Sequence, residues 1–363
     1  MAYTTIDDPS VYFQTTLYTG SGSSTQNVVN GGNSDLQPDW VWVKNRTDAR
    51  WHRLVDSSRG ASKNLYSNEP NTEGTEASVT AFNSDGFSLG TDTGSDGWNE
   101  DGDAHVAWQW KANGGSRTTF NESGDNPGGG HQANTTAGFS IIDYTGTGQT
   151  SGDPALVPHG LGVAPDFIIV KQRDAIRDWN VFHHKNTSAP ETDFLVLNTT
   201  AATADASNRW NDTMPNATNV VLGDTARVNN DAGSYIMYAF AEVKGFSKFG
   251  SYTGNGGEPG GPFVYTGFKP AWLMIHASSE SGQAWFIGDN KRDPDNIAVA
   301  KLASNTNSAE SAAVGDNNWD FLSNGFKIRT QDDAMNKSGV TFLYMAFAES
   351  PFVSSEGVPT TAR

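Results

Sequence analysis

The densest run of candidate metal ligands in this chain is DTGSDGWNEDGD, from Asp92 to Asp103. Ca²⁺ takes about six to eight oxygen ligands and accepts them from flexible loops, so Asp92, Asp96, Asp101 and Asp103 form a candidate Ca²⁺ site. The run lacks the glutamate-terminated spacing of an EF-hand loop, and a solvated acidic turn is the competing reading. His183 and His184 are adjacent. On a strand they point to opposite faces and cannot readily chelate one ion. The chain has no cysteine, which excludes disulfides, thiolate metal sites and a cysteine nucleophile.

Aromatic rings are the second kind of candidate, because they stack on the apolar C–H faces of sugars. Trp98, Trp210 and Trp319 lie in polar, loop-like surroundings, which suits ligand binding, with a buried loop anchor as the alternative. Trp40, Trp51, Trp272 and Trp285 recur at matching positions of an internal pattern, which argues for core. Asp56 with Arg59, and Asp289 with Arg292, repeat as D-x-x-R. Such a pair most simply forms a structural salt bridge at a strand end.

No phosphate loop, dinucleotide glycine fingerprint or His-Glu-x-x-His occurs. A glycosidase needs only two carboxylates on neighbouring strands, but the acidic residues here cluster in polar turns. A non-enzymatic protein is the expectation.

The elements that must carry these residues are strands. Thirty-nine Gly and 15 Pro, with 11 Trp, 10 Tyr and 19 Phe, suit short strands joined by many turns. One ordered series of anchors runs through the chain three times. Tyr-Thr-Gly begins at Tyr18, Tyr144 and Tyr252. A Pro-x-aromatic step then enters an apolar strand: PDWVWVK from Pro38, PDFIIVK from Pro165, PAWLMIH from Pro270. A second tryptophan follows at Trp51, Trp179 and Trp285, then a leucine strand ending at Asn68, Asn198 and Asn305. Asp85-Gly86 and Asn324-Gly325 supply a tight turn. Each copy closes with Asn-x-x-Gly, from Asn99, Asn230 and Asn336, before an aromatic strand: HVAWQWKA, SYIMYAFAE, VTFLYMAFAE. That last strand is apolar at both parities, so both its faces are expected to be covered.

The expected fold is all-β, as three tandem antiparallel β-sandwiches. An N-terminal arm over 1–12 precedes a sandwich at 13–112, and a Gly/Asn/Ser-rich linker or loop at 113–136 separates it from sandwiches at 137–244 and 245–352. A C-terminal tail covers 353–363. The linker suggests one unit standing apart from a closer pair, and both ends are expected to be disordered or docked on a partner.

Together the quoted residues resemble a repeat of virion proteins of marine bacteriophages: G-F-x-P-x-W, an apolar strand, W-x-x-x-D-x-x-R, S-N-G-F, and N-x-x-G before Y-x-A-F-A. The third copy carries the closest likeness, in GFKPAWLMIH, WFIGDNKR, SNGFKI and NKSGVTFLYMAFAE. The resemblance implies concanavalin A-like or SPRY-like sandwiches, and a tail fibre, tail appendage or head decoration on the virion surface, released by lysis. It also implies other virion proteins as partners, a host glycan or receptor as ligand, and a homo-oligomer, a trimer by analogy with fibres. A free carbohydrate-binding adhesin and a glycan depolymerase are the alternatives. A formal charge of −17 disfavours nucleic acid and anionic lipid surfaces. No stretch has the roughly 20 apolar residues of a membrane span, and the first ten residues lack the pattern of a signal peptide.

Overall fold

The computed structural model describes residues 3–23, 26–92, 97–148, 153–257, 260–312 and 318–361. It is all-β, with antiparallel sheets. Three inner sheets share one strand order. The first runs Phe13–Thr19, Ala104–Trp110, Trp40–Asn45, Arg53–Asp56. The second contains Phe139–Thr145, Ser234–Phe240, Phe167–Gln172, Asn180–His183, and the third Ser247–Thr253, Thr341–Pro351, Phe268–Ala277, Phe286–Asp289. Each is backed by a smaller outer sheet. The outer sheets contain Gln26–Val28, Phe87–Leu89 and Val79–Phe82; then Ala155–Pro158 and Asn219–Leu222; then Phe263–Tyr265, Gly325–Ile328 and Trp319–Leu322.

The closing aromatic strand lies inside each inner sheet, with a neighbour on both sides. Successive side chains on a strand alternate between faces, and both faces here are apolar. Val106, Trp108 and Trp110 enter one large core, as do Ile236, Tyr238 and Phe240, and Leu343, Met345 and Phe347. The other parity, including Ala107, Met237 and Tyr344, packs against each unit's own outer sheet.

The three inner faces therefore share a single core, and the arrangement of one unit apart from a closer pair is corrected. Trp110, Phe240 and Phe347 pair with the aromatic after each proline step, Trp40, Phe167 and Trp272. They form a triangle of rings with centroids 6.5, 5.7 and 5.9 Å apart. Trp40 of the first sheet stacks on Tyr238 of the second at 4.3 Å.

At the seams, a buried Asp–Arg pair of one unit receives a hydrogen bond from another. Asp56 and Arg59 are fully buried 2.5 Å apart, and Tyr238 of the next unit donates to Asp56 at 2.7 Å. Asp289 and Arg292 repeat this at 2.6 Å, with the Trp108 indole of the first unit donating to Asp289 at 3.0 Å. The second unit carries His183 at the same register position, opposite Phe167 as Asp56 is opposite Trp40 and Asp289 opposite Trp272. Its ring accepts from Lys185 N at 3.0 Å and donates to Tyr344 O at 3.3 Å. Burial pushes its pKa down to about 3.

Local anchors explain the recurring residues. Tyr18, Tyr144 and Tyr252 donate to the carbonyls of Trp98, Val228 and Met335. The next residue, Asn99, Asn229 or Asn336, accepts from a loop N–H at 2.9 Å. The middle anchor is thus Asn229, not Asn230. The second-tryptophan series also shifts by one residue. Asn68, Asn198 and Asn305 accept from the N–H groups of His52, Trp179 and Trp285, so His52 takes the buried position and Trp51 is left 38% exposed.

The segment 113–136 is not a linker. Thr118–Phe120 and Gly128–Asn134 form a hairpin whose second strand pairs with Phe139–Thr145, extending the second inner sheet. Glycine disguises it: a Cβ at Gly130 would lie 2.4 Å from the Arg117 guanidinium carbon, and Arg117 uses that space to pair with Asp143. The ends dock on the chain itself. Tyr3 donates to Gly267 O at 2.8 Å, Thr4 to Lys244 O at 2.9 Å, and Ser355 N to Asp7 at 2.7 Å.

Candidate functional site

The acidic run folds into two different devices. Asp92 is buried, and its Oδ2 accepts from the N–H groups of Gly97, Trp98 and Asn99 at 2.9 to 3.0 Å. It pins the loop and offers that oxygen to no ion. Asp96 lies outside the described residues, and Asp101 is exposed. Among the described residues of the sequence-derived set, only Asp103 joins a cluster, with Asp48 and Glu100, each offering a carboxylate oxygen within 4.8 Å of the others.

A cation already serves that cluster. Arg50 donates to Glu100 through Nε at 2.9 Å and Nη2 at 2.8 Å, and Nη2 lies 3.4 Å from Asp48. Asn45 donates to Asp103 at 2.7 Å. A divalent ion bound by all three carboxylates would have to displace the guanidinium. Lys44, nearby, is buried and donates to the carbonyls of Asn45, Asp48 and Asn307, and burial pushes its pKa down to about 7.

The three tryptophans assigned to ligand binding are buried: Trp98 at 3%, Trp210 at 1% and Trp319 at 1% exposure. Trp210 donates to Asp193 O at 3.0 Å and meets Phe182 edge-on. Trp319 and Phe321 share the inward parity of their strand and pack in the third outer core. The polar neighbours that suggested exposure are themselves buried: Asn99, Arg209 and Asn318. Alternation in Trp319-Asp320-Phe321 was the available signal.

A further string, Gly86-Phe87-Ser88-Leu89-Gly90, has the form of a nucleophile elbow. That motif works at a strand-to-helix turn. Here Ser88 is the middle of the strand Phe87–Leu89, and its hydroxyl donates to Asn27 at 2.7 Å.

Apart from Trp51, the large aromatics most exposed among the described residues lie on the edge strand Phe263–Tyr265. Phe263 and Tyr265 are 49% and 50% exposed, with Val264 between them turned into the core. Two residues along a strand place the rings on one face about 7 Å apart. Phe263 pairs across the sheet with Lys327, and Lys327 with Asp320, so an apolar, a cationic and an anionic side chain form one row. Arg329 pairs with Asp320 at 3.2 Å. Tyr265 is fixed by the Tyr3 hydroxyl at 3.1 Å.

Register shows that the fold does not require these rings. The inward residue of the strand is Val28, Val157 or Val264 in the three units, whereas the outward ones are Asn27, Leu156 or Phe263, then Val29, Pro158 or Tyr265. The inward residue is the same in all three; the outward residues differ.

No curated protein and no solved structure matches the chain. The family model of a domain of unknown function, DUF7483, matches residues 8–351. That span takes in all three inner sheets and their outer layers, so the family's domain is the closed three-sheet body, and this chain belongs to the DUF7483 family.

Proposed function

We propose that the chain is a non-enzymatic structural protein of a bacteriophage particle, assembled as a homo-oligomer with other virion proteins, that presents a glycan-binding face to the host. The virion role is supported by the resemblance of the anchor series to phage virion repeats. The recognition role is carried by one observation, the exposed pair Phe263 and Tyr265 beside Lys327. Contiguous exposed aromatics on a rigid strand are a recognition feature when no packing need explains them. Their flat faces suit the C–H face of a sugar, with Lys327 available as a hydrogen-bond donor. With a formal charge of −17 on the chain, neutral glycans suit it better than polyanionic ones.

Two measurements test this reading. Mass spectrometry of purified particles of the encoding virus should find the chain, and its absence from particles with abundance in lysate overturns the virion role. A Phe263→Ala/Tyr265→Ala double variant should keep its melting temperature and lose adsorption to host cells. Unchanged adsorption overturns the role of this face.

A further inference from the structure

The three seams have equivalent corners, and one has been emptied. The residue after each strand-entry proline accepts through its carbonyl from the residue that follows the fourth strand: Asp39 from Ser57 N, Asp166 from His184 N, Ala271 from Asn290 N, at 2.8, 2.9 and 2.8 Å. At the first corner the Asp39 carboxylate fills the space, accepting from Ser57 Oγ and from the N–H groups of Ala112, Gly114 and Gly115. At the second, Asp166 fills it with His184 and Glu242 N as partners. At the third the side chain is the methyl of Ala271.

Glu349, on the neighbouring strand, accepts from Asn290 at 2.6 Å and is balanced by Lys269 at 3.1 Å, whereas its counterpart in the second unit, Glu242, pairs with Lys248. What remains is a cleft of about 190 Å³ between the first and third units. Phe13, Ala271 and Ala348 supply its apolar wall, and Asn33, Lys291 and Glu349 are among its polar lining. The Thr15 hydroxyl, also lining it, is buried and has no hydrogen-bond partner among the described residues.

We infer that this cleft is a binding site for a single neutral sugar ring. Sites for drug-sized ligands occupy roughly 300–1,000 Å³, so this one suits one ring rather than an oligosaccharide. An apolar wall with a rim of donors and acceptors of both charges matches a ring with a C–H face and peripheral hydroxyls. The site is distinct from the Phe263 and Tyr265 face and stands independently of it.

The test is saturation-transfer NMR on the full chain with the methyl glycosides of glucose, galactose, mannose and N-acetylglucosamine at millimolar concentration. Saturation of ring protons in at least one sugar is expected, and it should vanish in Ala271→Leu, whose side chain fills the cleft. Where Ala271→Leu lowers the melting temperature, Asn33→Ala on the exposed rim carries the same comparison. Phe263→Ala/Tyr265→Ala should leave the cleft's signal intact, which separates the two sites. Transfer to none of the four sugars overturns the inference, as does equal transfer in a folded cleft variant.

Discussion

Asp56 and Arg59 have no solvent contact, and each meets a partner from another part of the chain: Tyr238 at Asp56, and Glu73 at Arg59 at 3.1 Å. Removing one member of a buried pair leaves an uncompensated charge, which costs about 3–5 kcal/mol. Asp56→Ala should lower unfolding free energy by that amount in urea titrations. Buried histidines contribute to the loss of stability in mild acid. Burial holds His183 down to about 3 and His276 down to about 4, whereas an unfolded histidine titrates near ~6.5. Between those values the unfolded chain binds protons that the folded chain refuses, so stability falls as pH drops from about 6.5 toward 3. Urea midpoints between pH 7 and pH 4 check this slope, and His183→Gln, which can still donate to Tyr344 O, should flatten it.

At the scale of elements, the outer cores trade volume between neighbouring positions. Register makes Val55, Phe182 and Gly288 equivalent, opposite Val41, Ile168 and Leu273. In the third unit the Trp319 ring occupies the place of the missing side chain, and a Cβ on Gly288 would lie 1.9 Å from Trp319 Cζ2. Overpacking a fixed ring costs about 1–3 kcal/mol. Gly288→Ala should lose that much stability in thermal or chemical unfolding, and combining it with Trp319→Leu should recover part of it. A loss that is the same with and without Trp319 would separate the glycine's role from the ring.

For the whole molecule, the shared core makes the three units mutually dependent. Each inner face is covered by the other two, as Trp110, Phe240 and Phe347 show in their triangle. Residues 245–352 made alone would expose Trp272, Met274, Met345 and Phe347, an apolar face no soluble monomer leaves open. That fragment should aggregate or lack cooperative unfolding by circular dichroism and size-exclusion chromatography. The full chain should unfold in one calorimetric transition, and three separable transitions would contradict the shared core.

Much of this body is legible in the sequence because its causes are local. Proline before an aromatic run marks a strand entry, Asn-Gly and Asp-Gly mark turns, and apolar residues at both parities mark strands covered on two faces. Those signals determined the all-β class, the recurrent anchors and the D-x-x-R salt bridges. Only the tertiary structure decided that the inner faces close on one another, that Trp98, Trp210 and Trp319 turn inward, that Asp48 joins Glu100 and Asp103, and that Ala271 leaves a cleft. Each of these depends on residues far apart in sequence meeting across a seam or a loop. Alternation along a strand says which residues share a face, but not what that face will meet.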